Sequence, residues 1–177
     1  MKITELEING VYLIENINFS DNRGIFVKVF SDDLFRRNKI NFSPKEIYYS
    51  ISHKNVIRGM HFQIPPFEHS KLIFVLMGKV MDVILDIRRN SPTFGKSISV
   101  YLEENKDSIY IPIGCAHGFR SLEDNTLVVY NQTSCYSKEH DKGILWNSFG
   151  FDWGIKSPII SERDQSFVAF VNFNSPF

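Results

Sequence analysis

The sequence predicts an all-β protein, a jelly-roll β-barrel or sandwich in which the helices are short and minor. Segments rich in β-branched and aromatic residues recur along the chain, and clusters of Gly, Asn, Asp and Pro separate them. No long stretch of helical periodicity lies between these segments. Short strands at this spacing are typical of sandwiches and closed barrels.

Seven strands are predicted, in the order GVYLIEN, EIYYSIS, KLIFVLM, KVMDVILDI, SISVYLEE, SIYIPI and TLVVYNQT. The first is expected to break at the polar stretch NFSDNRG. Helix is expected only at SDDLFRRN, where Ser31 is a candidate N-cap, and at SERDQSF near the C-terminal end. Within KVMDVILDI, alternation separates Asp82 and Ile84 from a second, wholly apolar face formed by Met81, Val83, Leu85 and Ile87. Asp82 is thus expected to point inward, where a carboxylate needs a partner.

Length and charge limit the classes of function. A chain of 177 residues predicts one domain, residues 1–177, and its formal net charge of zero argues against a broad affinity for nucleic acid or anionic membranes. The N-terminus MKITELEING lacks the apolar core of a signal peptide, and no run approaches the roughly 18 apolar residues that span a bilayer. We therefore expect a cytoplasmic protein. Cys115 and Cys135 are too few for a disulfide framework and are expected to be reduced and structural.

Five polar residues lie on or beside the apolar strands: His61, Lys71, Asp82, His117 and Tyr130. Any one of them alone reads best as an ordinary structural residue with satisfied hydrogen bonds. Five together indicate a cavity lined by polar groups rather than a barrel closed by apolar side chains.

A metal site is the first hypothesis that this cavity raises. The segment PIGCAH, which ends at His117, is similar to the second half of the cupin signature, whose first half normally supplies two histidines and a glutamate. Here that first half is incomplete, because His61-Phe62-Gln63 stands where a metal cupin has His-x-His. A site with three protein ligands would need Gln63 or the more distant His69 as a substitute. We therefore expect no metal, and the absence of a GxGxxG segment argues against a redox cofactor.

Five motifs in order, DNRGIF, VIRGMHFQIPP, SKLIFVLMGKVMDVILDIRRNSPTFG, IPIGCAHGF and SERD, resemble the dTDP-4-dehydrorhamnose 3,5-epimerase family. The resemblance runs from about Val11 to Asp164, and the order and spacing of the motifs make it specific. It implies a cupin-type jelly roll and a cofactor-independent isomerase that acts on a nucleoside-diphospho-4-keto-6-deoxy sugar. It also implies a homodimer and a role in the biosynthesis of deoxysugars, such as those of lipopolysaccharide or capsule.

In a 4-keto sugar, the hydrogens at C3 and C5 both lie next to the ketone, so one base can remove either and form an enolate. A neutral imidazole suits this role, and His61 is the candidate base. The resemblance implies that Asp164 orients His61 and that Tyr130 returns a proton from the opposite side of the ring. The alternatives are that Asp164 is an exposed helix-cap residue and that Tyr130 is an aromatic wall residue.

Lys71 is the candidate for stabilising the negative charge that develops on the C4 oxygen. It begins an otherwise apolar strand, where a lysine without a bound anion or a carboxylate partner such as Asp82 would be costly. Arg58, with its planar fork of donors, is the candidate for the diphosphate. Arg23 and Arg163 are weaker phosphate candidates.

The chain departs from the family in two substrate-contacting regions. RGIFVK places Lys28 where the family's Arg-Gly-x-Phe-x-Glu has a glutamate, and Glu46-Ile47-Tyr48 replaces Gln-x-Asn. The resemblance implies that the N-terminal strands carry Arg23, Phe26 and Lys28 to the neighbour's cavity. It also implies a wider set of substrate-binding residues within one chain: Glu46, Tyr48, Gln63, Asp82, His117 and Tyr136.

The nucleotide base and the reaction outcome stay open at this point. A lysine has only donors and cannot accept the N3–H of thymine, so Lys28 suggests GDP or CDP rather than dTDP. The sequence does not separate inversion at C3, at C5 or at both carbons, nor a hexose from a heptose. A 3,4-ketoisomerase and a non-catalytic sugar-binding cupin are the alternative functions.

Overall fold

The computed structural model describes all residues from Met1 to Phe177. The first seven strands are β1 Lys2–Glu5, β2 Tyr12–Glu15, β3 Ile17–Asp21, β4 Gly24–Lys28, β5 Glu46–Ser52, β6 Ile57–Gln63 and β7 Lys71–Met77. The remaining six are β8 Lys79–Asp86, β9 Ser97–Glu103, β10 Asp107–Ile111, β11 Cys115–Ser121, β12 Thr126–Gln132 and β13 Asp141–Gly143. The helices are α1 Asp32–Arg37, α2 Glu162–Gln165 and a 3₁₀ turn at Phe170–Asn172.

The strands form two main antiparallel sheets and one separate hairpin. The larger sheet has the order β1-β2-β10-β7-β12-β5, and the smaller has the order β13-β6-β11-β8-β9. Consecutive strands β7 and β8 belong to different sheets, although Gly78 alone separates them. Gly78 has φ +82°, and a Cβ there would lie 2.6 Å from Thr126 Oγ1, so this corner requires glycine. The all-β jelly roll with minor helices is thus confirmed.

Strand β8 separates two cores, as its alternation predicted. Val80 and Ile84 pack inside with Phe119 and Tyr130. The other face packs under the C-terminal segment, around Trp153, and contains Met81, Val83, Leu85 and Ile87. Asp82 is fully buried, so the expectation that it points inward is confirmed.

One predicted boundary is wrong. The stretch NFSDNRG does not break the chain into a loop; it forms most of the β3–β4 hairpin, in which Asp21 pairs with Gly24. Its polar residues are compatible with a strand because the hairpin is exposed on both faces and no core selects apolar residues there. Strands β1, β6, β11 and β13 were also not predicted.

Both predicted helices are confirmed, although Ser31 makes no side-chain capping bond. Neither of these helices has the length and apolar composition needed to cross a membrane.

Candidate active site

A cavity of about 330 Å³ opens between the two sheets. Strands β5, β7 and β12 line it from one sheet, and β6, β11 and β13 line it from the other. Nine of the residues predicted for the site line this cavity: Tyr48, Arg58, His61, Gln63, Lys71, His117, Tyr130, Tyr136 and Arg163. Three others lie behind the lining and bond to it: Glu46, Asp82 and Asp164.

The first pair is His61 and Asp164, whose Nε2 and Oδ1 atoms are 2.8 Å apart. Asp164 is only 4 % exposed, and its other oxygen accepts the N–H of Gly59 at 3.1 Å. Burial alone would raise the pKa of Asp164, but the bonds from His61 and Gly59 hold that pKa below its usual range. The carboxylate is therefore ionised at neutral pH and can orient the imidazole and stabilise its protonated form. The alternative that Asp164 is an exposed cap is wrong, because Ser161 is the N-cap of α2.

The backbone beside His61 requires a glycine. Gly59 has φ +141°, and a Cβ at this position would lie 2.5 Å from the Cα of Gly118 on β11. This close approach leaves the N–H of Gly59 directed at Asp164. The glycine in the RGMH motif thus helps to hold the carboxylate against the imidazole.

Lys71 is 6 % exposed, and its Nζ donates to the backbone oxygen of His61 at 3.2 Å. Burial lowers its pKa from 10.5 to about 8, although Asp141 and Asp82 partly oppose this effect. Asp82, which was one possible carboxylate partner, bonds to His117 instead, and Lys71 forms no salt bridge. The ammonium is therefore a buried cation without a carboxylate partner, and it faces the cavity.

Tyr130 projects from β12 of the larger sheet, whereas His61 projects from β6 of the smaller sheet. The hydroxyl of Tyr130 lies 3.0 Å from Ser50 Oγ, and burial raises the pKa of this phenol well above its ordinary value. It therefore carries its proton at neutral pH.

A second buried pair, His117 and Asp82, lies at the wall of the cavity. His117 Nε2 lies 2.8 Å from Asp82 Oδ2, and both residues are buried. Burial lowers the pKa of His117 more than the neighbouring Asp82 raises it, so the imidazole is neutral at neutral pH. Because the imidazole of His117 is neutral, it adds no second positive charge beside the ammonium of Lys71.

The polar rim of the cavity holds two arginines. Arg58 donates from Nε to Ser52 Oγ at 3.1 Å and from Nη2 to the backbone oxygen of Ile51 at 3.4 Å, and the residue is exposed. Arg163 is paired with Asp141 at 2.6 Å. Arg58 thus has no carboxylate that competes with a phosphate for its guanidinium, whereas Arg163 does.

Gln63 and His69, the two residues that a metal site would have needed as substitute ligands, both line the cavity. The amide nitrogen of Gln63 donates to the backbone oxygens of Phe67 and Cys135, and its oxygen accepts the N–H of Ser137. Burial lowers the pKa of His69 to about 3, so it is neutral. The side chain of Gln63 thus fixes the loop that precedes β13.

Arg23, Phe26 and Lys28 lie outside this cavity, on the β3–β4 hairpin. The hairpin is a two-stranded sheet of its own, and Arg23 pairs with Asp21 at its turn. Within one chain, these three residues therefore do not join the others.

Sequence reasoning missed five lining residues: Ser50, Phe62, His69, Gln132 and Asp141. Alternation could have found two of them, because Ser50 shares a strand face with Tyr48, and Gln132 shares one with Tyr130. His69 was considered only as a metal ligand. Asp141 lies on a three-residue strand with no periodic signal.

The comparisons with known proteins agree on one family. The family model of the dTDP-4-dehydrorhamnose 3,5-epimerases matches residues 5–172. An enzyme of that name from Shigella flexneri is 38% identical over 97% of both chains.

Solved structures give the same result. A 3,5-epimerase from Legionella pneumophila in complex with dTDP-4-keto-L-rhamnose is 31% identical, with a TM-score of 0.92 over 98% of this chain and 94% of that one. A 3'-monoepimerase from Streptomyces bikiniensis in complex with dTDP-quinovose is 28% identical, with a TM-score of 0.88 over 94% and 86%. The chain belongs to the dTDP-4-dehydrorhamnose 3,5-epimerase family of isomerases.

Proposed function

We propose that this enzyme inverts C3, C5 or both in a nucleoside-diphospho-4-keto-6-deoxy sugar through an enolate, with His61 as base and Tyr130 as acid. The observation that carries the proposal is the His61–Asp164 pair, which shares one cavity with a buried lysine and a protonated phenol on the facing sheet. No redox step is needed, because the carbonyl stays at C4.

His61 removes the proton next to the ketone, and its ring becomes cationic. The ionised Asp164, 2.8 Å away, stabilises that cation and keeps the ring in one orientation. A base positioned in this way typically contributes about 10²–10⁴-fold to the rate.

Lys71 stabilises the oxyanion that forms at C4. Its charge is buried and forms no direct ion pair with a carboxylate, so it acts on the developing negative charge more strongly than a solvated lysine would. Such a donor typically contributes about 10²–10³-fold.

Tyr130 then donates a proton to the face of the carbon opposite His61. Inversion needs two groups on opposite sides of the ring, and these two residues come from strands of different sheets. Arg58, at the rim, binds the diphosphate, while His117 and Gln63 shape the sugar pocket.

We also propose a homodimer in which the β3–β4 hairpin completes the neighbour's site. Phe19 and Phe26 form an exposed cross-strand pair on the hairpin, with ring centroids 6.3 Å apart. The edge strand β5 also exposes alternate apolar side chains, Ile47, Tyr49 and Ile51. Exposed apolar residues on a hairpin and on a sheet edge are the features that a second copy would cover.

The relatives support a nucleotide sugar as the class of substrate, but they leave the base of this enzyme's nucleotide open. The named relatives act on dTDP sugars, whereas Lys28 favours a base with an acceptor, so the base stays a hypothesis. A cytoplasmic location and a role in lipopolysaccharide or capsule synthesis also stay predictions.

Turnover of a 4-keto sugar nucleotide in deuterated water tests the proposed function. NMR of the product locates the deuterium and the carbonyl. We expect deuterium at C3, C5 or both, with the carbonyl retained at C4. Relocation of the carbonyl would establish a ketoisomerase. Binding without exchange or turnover would establish a non-catalytic cupin.

A further inference from the structure

Tyr48 lies flat against Tyr130. The two ring centroids are 4.8 Å apart, and the ring planes differ by 15°. The two residues are direct cross-strand partners on β5 and β12. A pair of this geometry combines aromatic stacking with the fixed spacing of a sheet. Tyr48 is one of the two positions at which this chain departs from the family's Gln-x-Asn motif, which reads Glu46-Ile47-Tyr48 here.

A chain of hydrogen bonds fixes the ring of Tyr48. Its hydroxyl donates to Gln132 Oε1 at 3.2 Å, and Gln132 Nε2 donates to Glu46 Oε2 at 2.9 Å. The same carboxylate oxygen accepts the N–H of Tyr136 at 2.6 Å. Because a carboxylate only accepts, Glu46 determines which end of the Gln132 amide faces Tyr48. Gln132 is buried, so this orientation is the one in which both of its ends are bonded.

Other aromatic neighbours hold Tyr130 less closely. The rings of His117 and Phe119 lie 6.3 and 6.5 Å from it, at angles of 72° and 43°. Its hydroxyl lies 3.0 Å from Ser50 Oγ, a contact that holds the phenol oxygen at a single point. The parallel contact with Tyr48 therefore defines the plane of the ring.

We propose that Glu46, Gln132 and Tyr48 form a positioning array that holds Tyr130 in the plane from which it returns the proton. The inference rests on the proposed function, in which Tyr130 is the acid. Tyr48 is a positioning residue here, because it acts through Tyr130 and not on the sugar. A displacement of about 1 Å at a reacting group can cost on the order of 10²-fold in rate, so a loss of the stack has a measurable effect.

The test measures two rates on the same samples over a range of substrate concentrations up to saturation, which gives the KM as well as the maximal rates. One is deuterium exchange from solvent, which reports the base, and the other is formation of inverted product, which reports the acid. In Tyr48→Leu we expect the ratio of inversion to exchange to fall about tenfold or more. In Tyr48→Phe, which keeps the stack and loses one hydrogen bond, we expect a fall of about two- to fivefold. Glu46→Ala should lie between the two, and Tyr101→Leu, an exposed tyrosine on β9, is the matched control.

The outcomes separate the two levels of the proposal. Tyr130→Phe should lower the ratio more than any array variant, and adding Tyr48→Leu to it should lower the ratio no further, because one step is already lost. If Tyr130→Phe leaves the ratio unchanged, the assigned acid is wrong. If Tyr130→Phe lowers the ratio but Tyr48→Leu only raises the KM, Tyr48 binds substrate and the positioning array is overturned.

Discussion

The cavity is assembled within one chain, whereas the β3–β4 hairpin leaves most of its side chains exposed and without contacts to the cavity. In the cavity, the imidazole and its carboxylate are within hydrogen-bonding distance, and a buried lysine and a phenol complete the set. The hairpin forms a sheet by itself, and its aromatic side chains are exposed; Phe26, for example, is 58 % exposed. The cavity carries the residues proposed for proton transfer, whereas the hairpin carries Lys28, where the chain departs from the family motif.

Under the proposed function, reaction type and nucleotide choice depend on separate parts of the fold. The groups proposed for proton transfer are fixed by the packing of two sheets, so a substitution on the hairpin leaves them in place. In the proposed dimer, the hairpin residues act only when the neighbour's surface covers them. We therefore expect variants of the cavity to change the chemical rates, and variants of the hairpin to change assembly and nucleotide affinity.

The largest effect is expected from His61. In His61→Asn, deuterium exchange at both sugar carbons should fall by about 10²–10⁴-fold, because the base is lost while the cavity remains. The variant's circular dichroism and thermal midpoint should stay close to those of the parent. His53→Asn, at an exposed histidine outside the cavity, is the matched control. Exchange at the parental rate in His61→Asn would overturn the assigned base.

Lys71→Met should lower turnover by about 10²–10³-fold and yet raise stability. In the folded protein the pKa of Lys71 is about 8, below the ordinary 10.5, because burial disfavours the ammonium. Below pH 8 the lysine is charged in both the folded and the unfolded states, and the folded state bears the full cost of burying that charge. The variant should therefore have the higher free energy of unfolding at pH 7, by roughly 1–3 kcal/mol.

The pH dependence has a definite sign. Between about pH 8 and pH 10.5 the unfolded state binds more protons at Lys71 than the folded state, so the stability of the parent rises relative to the variant. Urea titrations at pH 7 and pH 9.5 measure this convergence, with Lys54→Met, an exposed lysine, as the control. A variant less stable than its parent at pH 7 would mean that the ammonium has a stabilising partner.

The next largest effect is expected from a variant of the β3–β4 hairpin, Phe26→Asp. Phe26→Asp places a charge where the proposed dimer needs an apolar contact, so sedimentation should detect monomer. Nucleotide affinity should fall about 10–100-fold, since the contacts from the neighbour's hairpin are lost. Tyr101→Asp, at a residue of similar exposure, should leave both unchanged. A fully active monomer would refute the shared site.

Local pattern was sufficient for the core strands and insufficient for the strands that carry the chemistry. Alternation assigned both faces of β8 correctly, because apolar residues fill most of each face between Lys79 and Asp86, with Asp82 as the polar residue within the run. Strands β6 and β11 escaped prediction because RGMHFQ and CAHGFR contain the glycines that let the two strands approach closely. The dyad of His61 and Asp164 joins residues 103 positions apart, so no local pattern could place them together. The family resemblance supplied that pairing.

The smallest effect concerns the nucleotide base and Lys28. Thymine presents a ring N–H at N3, which a glutamate would accept and a lysine cannot, whereas cytosine and guanine present acceptors. If Lys28 meets the base, dTDP should bind more weakly than CDP or GDP, by about 1–3 kcal/mol for two opposed donors out of water. Lys28→Glu should then reverse the preference, while Lys39→Glu, another exposed lysine, should not. Calorimetric titration of the three diphosphates measures both. Tightest binding of dTDP, unchanged in Lys28→Ala, would show that Lys28 turns away from the base and that the nucleotide is read elsewhere.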